Sequence, residues 1–423
     1  MTLALMISFL ASMFLSVPIA IAIAFSSIFS LEVFSHVTPQ FFGNGVFNSC
    51  NNFTLIAVPF FMIAGSLMQY GGVSKRLVSF CKMLVGGLHG SLGIVTVMAC
   101  MLFAAISGSG PATVASIGMI MLPMMTLEGY DPGYSGALVA TAGGLGIIIP
   151  PSIPMITYAV LAGCNIGNLF IAGIIPGILI GLVLMVVNYF ICRKRHWGIV
   201  VKNTLTLKVF WAGLKESFLA LLMPVIILGG IYGGFFTPTE ASCVAVVYGL
   251  IVGVFVYKEI TWKVYKKIIM DAAVISGTAL VIMSVCDGFN WALTINRVPI
   301  TLANFITTNF TTPFMFVIVL AIILLILGCF MSVNAAIMVL TPILVPISTQ
   351  MGYSPITIGV VMIICLSIGM VTPPFGMNMF LAAKITGDPV DRQFKWIWLL
   401  VGFCMLCLLA VILWPWLTLG LIS

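Results

Sequence analysis

Charge is what this sequence has least of: Asp, Glu, Lys and Arg make up 6% of its 423 residues, and there are only three His. With 62% hydrophobic residues and a mean hydropathy of +1.25, that scarcity excludes a soluble globular domain. It leaves a polytopic membrane protein, whose apolar runs exceed the roughly 20 residues that cross a bilayer. The longest polar stretch, 193–215, reads as a loop rather than a domain. Residues 1–31 lack the basic start and following polar domain of a cleaved signal peptide and read as mature membrane helix. The eleven Cys have no metal-ligand spacing and read as small hydrophobes with free thiols. Paired intramembrane carboxylates, a His cluster and a Cys/His constellation are also lacking, which argues against a membrane-embedded enzyme and against any cofactor. The net charge of +7 does not call for nucleic acid, because the basic residues fall in loops in a pattern that topology explains.

What is there is a repeat. Gly129-Tyr130-Asp131-Pro132, followed by Gly146 and Pro150-Pro151, returns as Gly352-Tyr353-Ser354-Pro355, followed by Gly369 and Pro373-Pro374, always 223 positions on. Ser109 with Ser332 and Pro123 with Pro346 keep the same offset. Each copy therefore holds an irregular small-residue stretch and then a helix interrupted at Pro-Pro. Duplicated broken helices point to a secondary transporter, because they set helix ends and free carbonyls near the bilayer midplane, where substrate and ions bind.

The basic clusters lie at 75–82, 193–215, 258–267 and 384–395. If all four are cytoplasmic, an even number of crossings must separate consecutive clusters. A broken helix over 134–163 and a helix over 169–191 supply two crossings, so 91–126 must enter and leave on one side. It is predicted to be a re-entrant hairpin split at 107–111, with arms of about 16 residues, or ~24 Å, short of the ~30 Å core. In the second half, 217–236 goes out, 238–257 returns, 258–267 lies along the inner face and 270–293 goes out. A hairpin at 313–350 then dips in from outside, 355–384 returns and 397–420 goes out. Shifting back by 223 predicts two short helices in 1–31 meeting near Val17-Pro18, an interfacial stretch at 36–46 and a crossing at 50–70.

The expected fold class is an all-α polytopic membrane protein, an inverted-topology repeat with two re-entrant hairpins and two broken helices. Both termini would lie outside; a single crossing over 1–31, with the N-terminus inside, keeps the same parity. The segments are scaffold helices at 1–90, a first transport half at 91–163, scaffold helices and a cytoplasmic loop at 164–312, a second transport half at 313–384 and a C-terminal helix at 385–423. Trp396 and Trp398 opposite Trp414 and Trp416 read as two interfacial belts. Thr237 to Glu240 reads as a tight outer turn with a capping carboxylate. Only Asp287 among the acidic residues reads as deep, where a neighbouring helix would satisfy it. A proton-coupled carrier generally uses an intramembrane carboxylate or His relay, so sodium coupling through neutral oxygens fits better.

Four motifs carry a family resemblance: 103–115 (FAAISGSGPATVA), 149–154 (IPPSIP), 233–241 (GGFFTPTEA) and 371–378 (VTPPFGMN). In this order and at full-length spacing they resemble the large membrane subunit of TRAP transporters, the tripartite ATP-independent periplasmic family. The resemblance implies a sodium-driven importer of organic acids in a bacterial inner membrane, working with a small four-helix membrane subunit and a periplasmic binding protein. It also implies an elevator mechanism, with a transport domain that slides against a scaffold. One departure is visible: Ser332 stands where many relatives carry an acidic residue. A binding-protein-independent sodium and dicarboxylate symporter is the alternative.

Helix-end geometry and the resemblance together select the sites. The first arm of each hairpin, and each half-helix at its break, ends in carbonyls without helical partners, which suit a small hard cation. The first sodium site is placed at Ser107 and Ser109 with the backbone of Gly146, Ile149 and Pro151, and its mate at Ser332, Gly369, Thr372 and Pro374. Each second arm begins at the same tip and presents amides; Ser109 reads as an N-cap before Pro111. A carboxylate is placed there, with Thr113, Ser152, Asn334 and Asn378.

Overall fold

The computed structural model describes residues 2–15, 17–35, 39–50, 53–85, 87–198, 207–295 and 312–422, and among these the chain is helix, turn and loop without strand. Nine of the described helices are long and apolar enough to cross a membrane, or ten if the pair Pro132–Ile148 and Ile153–Ala162, bent by 41°, counts as one crossing.

The 223-residue register persists in the fold. Hairpin 1 consists of Ser91–Ser107 and Gly110–Leu127, and hairpin 2 of Pro313–Phe330 and Val333–Gln350. The second arms match residue for residue under the offset. Each turns where the helix cannot continue: Gly108 is left-handed (φ 59°) and followed by extended Ser109, whereas Met331 and Ser332 are both extended. The arms hold 17 or 18 residues, ~26 Å, somewhat longer than expected. Length therefore does not separate an arm from a crossing, since three arms are apolar enough to span. Burial separates them at hairpin 1, whose Ser107, Gly108 and Gly110 are enclosed by protein, the setting in which irregular backbone is tolerated at membrane depth.

The broken helices follow the hairpins. The first runs Pro132–Gly143, Leu145–Ile148 and Ile153–Ala162; the second runs Pro355–Gly369 and Met377–Thr386. Their packing is reciprocal. Ile153–Ala162 lies on the second arm of hairpin 2, and Met377–Thr386 on the second arm of hairpin 1. Ser367 Oγ donates to the Gly144 carbonyl at 2.9 Å, 223 positions away. Two repeat-equivalent residues can touch only where a local two-fold axis passes between them.

Around this core stand the remaining helices. Thr2–Phe14 and Ile19–Ser35 flank Val17-Pro18, as expected, and pack on each other. Phe53–Tyr70 is the crossing expected at 50–70, and the expected interfacial stretch overlaps the helix Pro39–Cys50; His36 lies outside the described residues. The turn before Pro238–Leu250 is a capping box, with Thr237 N and Glu240 Oε2 at 2.8 Å. Two expectations need correction. Residues 258–267 are not one segment separate from the next crossing: from Trp262 they are continuous with a single 34-residue helix, Trp262–Ile295, which no proline interrupts. Trp396 is not a free interfacial anchor: it packs on Tyr134 and Trp197 at centroid distances of 5.1 and 5.7 Å. Trp398, Trp414 and Trp416 do stay exposed. Asp287 lies in the 34-residue helix, with its side chain outside the described residues.

Candidate functional site

The tip of hairpin 1 gathers oxygen. Ser107 Oγ and Thr113 Oγ1 are 3.1 Å apart, and both reach the Ser109 carbonyl, at 3.4 and 2.8 Å. Ser109 holds the N-cap position of the second arm, but its hydroxyl makes no capping bond, so the expected side-chain cap is not formed. Gly146 closes over this group. A Cβ there would stand about 2.5 Å from both the Ser109 carbonyl and Thr113 Oγ1, so only glycine lets the interrupted helix come this close. Gly108 has the same constraint against the Pro151 carbonyl, at 2.7 Å from an added Cβ, and its own carbonyl accepts the Ile153 amide at 3.2 Å. Ser107, Ser109, Gly146 and Pro151 are thus brought together, and Thr113, placed by sequence with the substrate, joins them. Ile149 caps the short helix Leu145–Ile148 in extended conformation, its amide on the Leu145 carbonyl.

Ser152 has another partner. Its hydroxyl donates to the Ile147 carbonyl at 2.7 Å and receives the Met155 amide at 3.4 Å, so a fully buried side chain stitches the break.

The second set is looser. Gly369 packs against Gly328 of the first arm, whose Cα would lie 2.6 Å from an added Cβ. Thr372 Oγ1 donates to the Ile368 carbonyl of its own helix at 2.8 Å, Ser332 Oγ caps the Ala335 amide at 3.4 Å, and Pro374 is exposed. Asn378 is fully buried and crosses to the other repeat: its Nδ2 donates to Ala140 O at 3.4 Å, and its Oδ1 has no partner. The amide oxygen of Asn334 is likewise buried without a partner.

Both hairpin tips open on one cavity of about 450 Å³. Ser109, Ser332 and Asn334 supply its polar end, and Met370 and Met377 come from the second broken helix. The facing wall was not anticipated from sequence. It is built by Val58 and Met62 of Phe53–Tyr70 and by Val274, Thr278 and Ile282 of the 34-residue helix. One signal was available, since Thr278 is one of the few hydroxyls within this largely apolar crossing. Ser367 was missed as well, although it is the repeat mate of Gly144. Among the described residues no group of three or more His, Cys, Asp or Glu could hold a metal ion. The site's means are hydroxyls, carbonyls and amides.

Paired hairpins and interrupted helices converging on one cavity inside a membrane bundle are the arrangement of a secondary transporter. Residues 6–417 match the model of the family described as "Tripartite ATP-independent periplasmic transporter, DctM component". The chain belongs to this family. It is 40% identical over 365 residues to the C4-dicarboxylate TRAP transporter large permease protein DctM of Pseudomonas aeruginosa, covering 85% of each protein. It is also 40% identical over 393 residues to the isethionate TRAP transporter permease protein DctMQ of Oleidesulfovibrio alaskensis, covering 93% of this chain and 62% of that longer protein. In fold it is similar to the YdaH transporter of Alcanivorax borkumensis, with a TM-score of 0.66 and 15% identity over 90% of this chain and 89% of that one.

Proposed function

We propose that this chain is the large subunit of a sodium-driven importer of organic acids in a bacterial inner membrane, acting with a small four-helix membrane subunit and a periplasmic substrate-binding protein. The observation that carries the reading is the tip of hairpin 1, where two hydroxyls and the Ser109 carbonyl converge within 3.4 Å under Gly146. Hard neutral oxygens at helix ends suit a sodium ion. Relatives named for C4-dicarboxylate and isethionate support an organic anion as cargo. Gly146, Ile149 and Pro151 complete the first ion site, and Ser332, Gly369, Thr372 and Pro374 form the second.

Both hairpins and both broken helices move as one body against the scaffold, carrying the cavity past the wall of Val58, Met62, Val274, Thr278 and Ile282, with both termini periplasmic. Support for this elevator motion comes from the cavity's position, between the hairpin tips and helices of the other group. The test is uptake of labelled succinate, isethionate and sialic acid into proteoliposomes that hold this chain and its small subunit, with and without the binding protein and an inward sodium gradient. Uptake of at least one of these acids that needs both additions is the expected result. Uptake without the binding protein would favour a self-sufficient symporter, and sodium-indifferent uptake would remove the ion sites.

A further inference from the structure

The cavity has two unlike ends. Its polar side chains, Ser109, Ser332 and Asn334, sit at the hairpin tips, whereas the other described residues of the wall are Met, Val, Ile, Pro and Gly apart from Thr278, whose hydroxyl is committed to the Val274 carbonyl at 2.8 Å. No described residue that walls it is charged. At about 450 Å³ it is of ordinary size for a small-ligand site.

An anionic group placed at the tips meets hydroxyls, the Asn334 amide and the free amides that begin Val333–Gln350. A second anionic group on the same molecule would face the thioethers and branched aliphatics of the opposite wall. Burying an ionised carboxylate without a charged or hydrogen-bonding partner is strongly unfavourable, and no described side chain on that wall offsets it. Methionines, by contrast, adapt to irregular apolar bodies.

We infer that the cargo of this cavity is a singly charged organic acid with an apolar body, its one anionic group at the hairpin tips and its body against Met62, Val274, Ile282, Met370 and Met377. This rests on the transport reading above and narrows it. Dianions and polyhydroxylated acids fit the cavity poorly.

The test is sodium-dependent thermal stabilisation of the complex of this chain with its small subunit in lipid nanodiscs, titrated with 4-methylpentanoate and with succinate. The binding protein is left out so that its selectivity does not mask that of the cavity. The expected result is half-saturation by 4-methylpentanoate at a concentration at least about tenfold lower, a ratio equivalent to ~1.4 kcal/mol. Succinate binding as tightly or more tightly, still sodium-dependent, would overturn the cargo class and leave the sodium-coupled reading intact. No sodium-dependent response to either acid would overturn both. Thr278→Lys places a cation on the facing wall and is expected to shift the ratio toward succinate by at least about tenfold; an unchanged ratio in a folded variant would overturn the placement of the body there.

Discussion

The two hairpins share a backbone plan and differ at the tip. Under the 223-residue offset Ser107 and Thr113 of hairpin 1 correspond to Phe330 and Ala336 of hairpin 2, so one tip carries hydroxyls where the other carries a phenyl ring and a methyl. Surroundings diverge accordingly. The break beside hairpin 1 is buried through Pro150, Pro151 and Ser152, whereas Pro374 and Phe375 are exposed and Phe375 packs on Phe330 in a tilted pair at 5.5 Å between centroids. A duplicated backbone thus keeps helix ends in both halves, while the side chains make one end hydroxyl-rich and enclosed and the other more open, with Phe330 and Phe375 beside Ser332 and Asn334. On this basis the two proposed ion sites are unequal, and the first is the tighter.

The largest expected effect tests whether close approach at the enclosed tip is needed at all. Gly146→Val drives a branched side chain into the Ser109 carbonyl and Thr113, and is expected to abolish uptake while the protein still inserts and purifies. Turnover at the native rate in that variant would show that the ion does not sit at this break. Next, Thr113→Ala and Ser107→Ala each remove a hydroxyl from the oxygen cluster. Losing one such partner costs about 1–3 kcal/mol, so the sodium concentration for half-maximal uptake should rise about fivefold or more. Ala336→Ser, at the equivalent position of hairpin 2, should move it far less. Equal shifts in both hairpins would erase the asymmetry.

A smaller effect is expected at the open tip. An aromatic pair contributes about 0.5–1.5 kcal/mol, so Phe375→Ala should loosen hairpin 2 and speed its hydrogen exchange by several-fold, leaving hairpin 1 protected. The smallest effect serves as a control outside both hairpins. Glu259 pairs with Arg76 at 3.1 Å and with Lys75 at 3.9 Å where the helix Val73–Val85 meets the turn before Trp262–Ile295, its side chain 31% exposed. Glu259→Gln should lower thermal stability by at most about 1 kcal/mol and leave sodium activation unchanged in uptake assays. A shifted sodium dependence there would mean that the response is not local to the hairpins.

Much of the fold was legible because breaks in membrane helices are written in few residue types. Pro-Pro, Gly and Ser marked both breaks and both tips, and the offset between copies carried the reading into the N-terminal region, where Val17-Pro18 does divide two helices. Misreadings arose where local composition gave no hint of neighbours. Lysines at 258–267 suggested a stretch distinct from the crossing that follows, yet one helix without proline runs from Trp262 to Ile295. Trp396 looked like a belt residue until Tyr134 and Trp197 closed around it. At the candidate site the hairpin residues were accessible to sequence reasoning, but the scaffold wall was not, since Val58, Met62, Val274 and Ile282 carry no chemistry that distinguishes them from other lipid-span residues.

By itself the sequence determined the membrane class, the duplication, the places where helices must stop and the family. These depend on hydropathy, on proline's missing amide and on glycine's missing side chain, which act within a few residues of chain. Only the tertiary structure decided which oxygens meet. Ser152 turned inward to the Ile147 carbonyl, Thr113 joined Ser107, and Ser367 reached Gly144 across the local two-fold axis. A buried polar group takes whatever partner packing brings within about 3 Å, and that partner can come from the same turn or from 223 residues away.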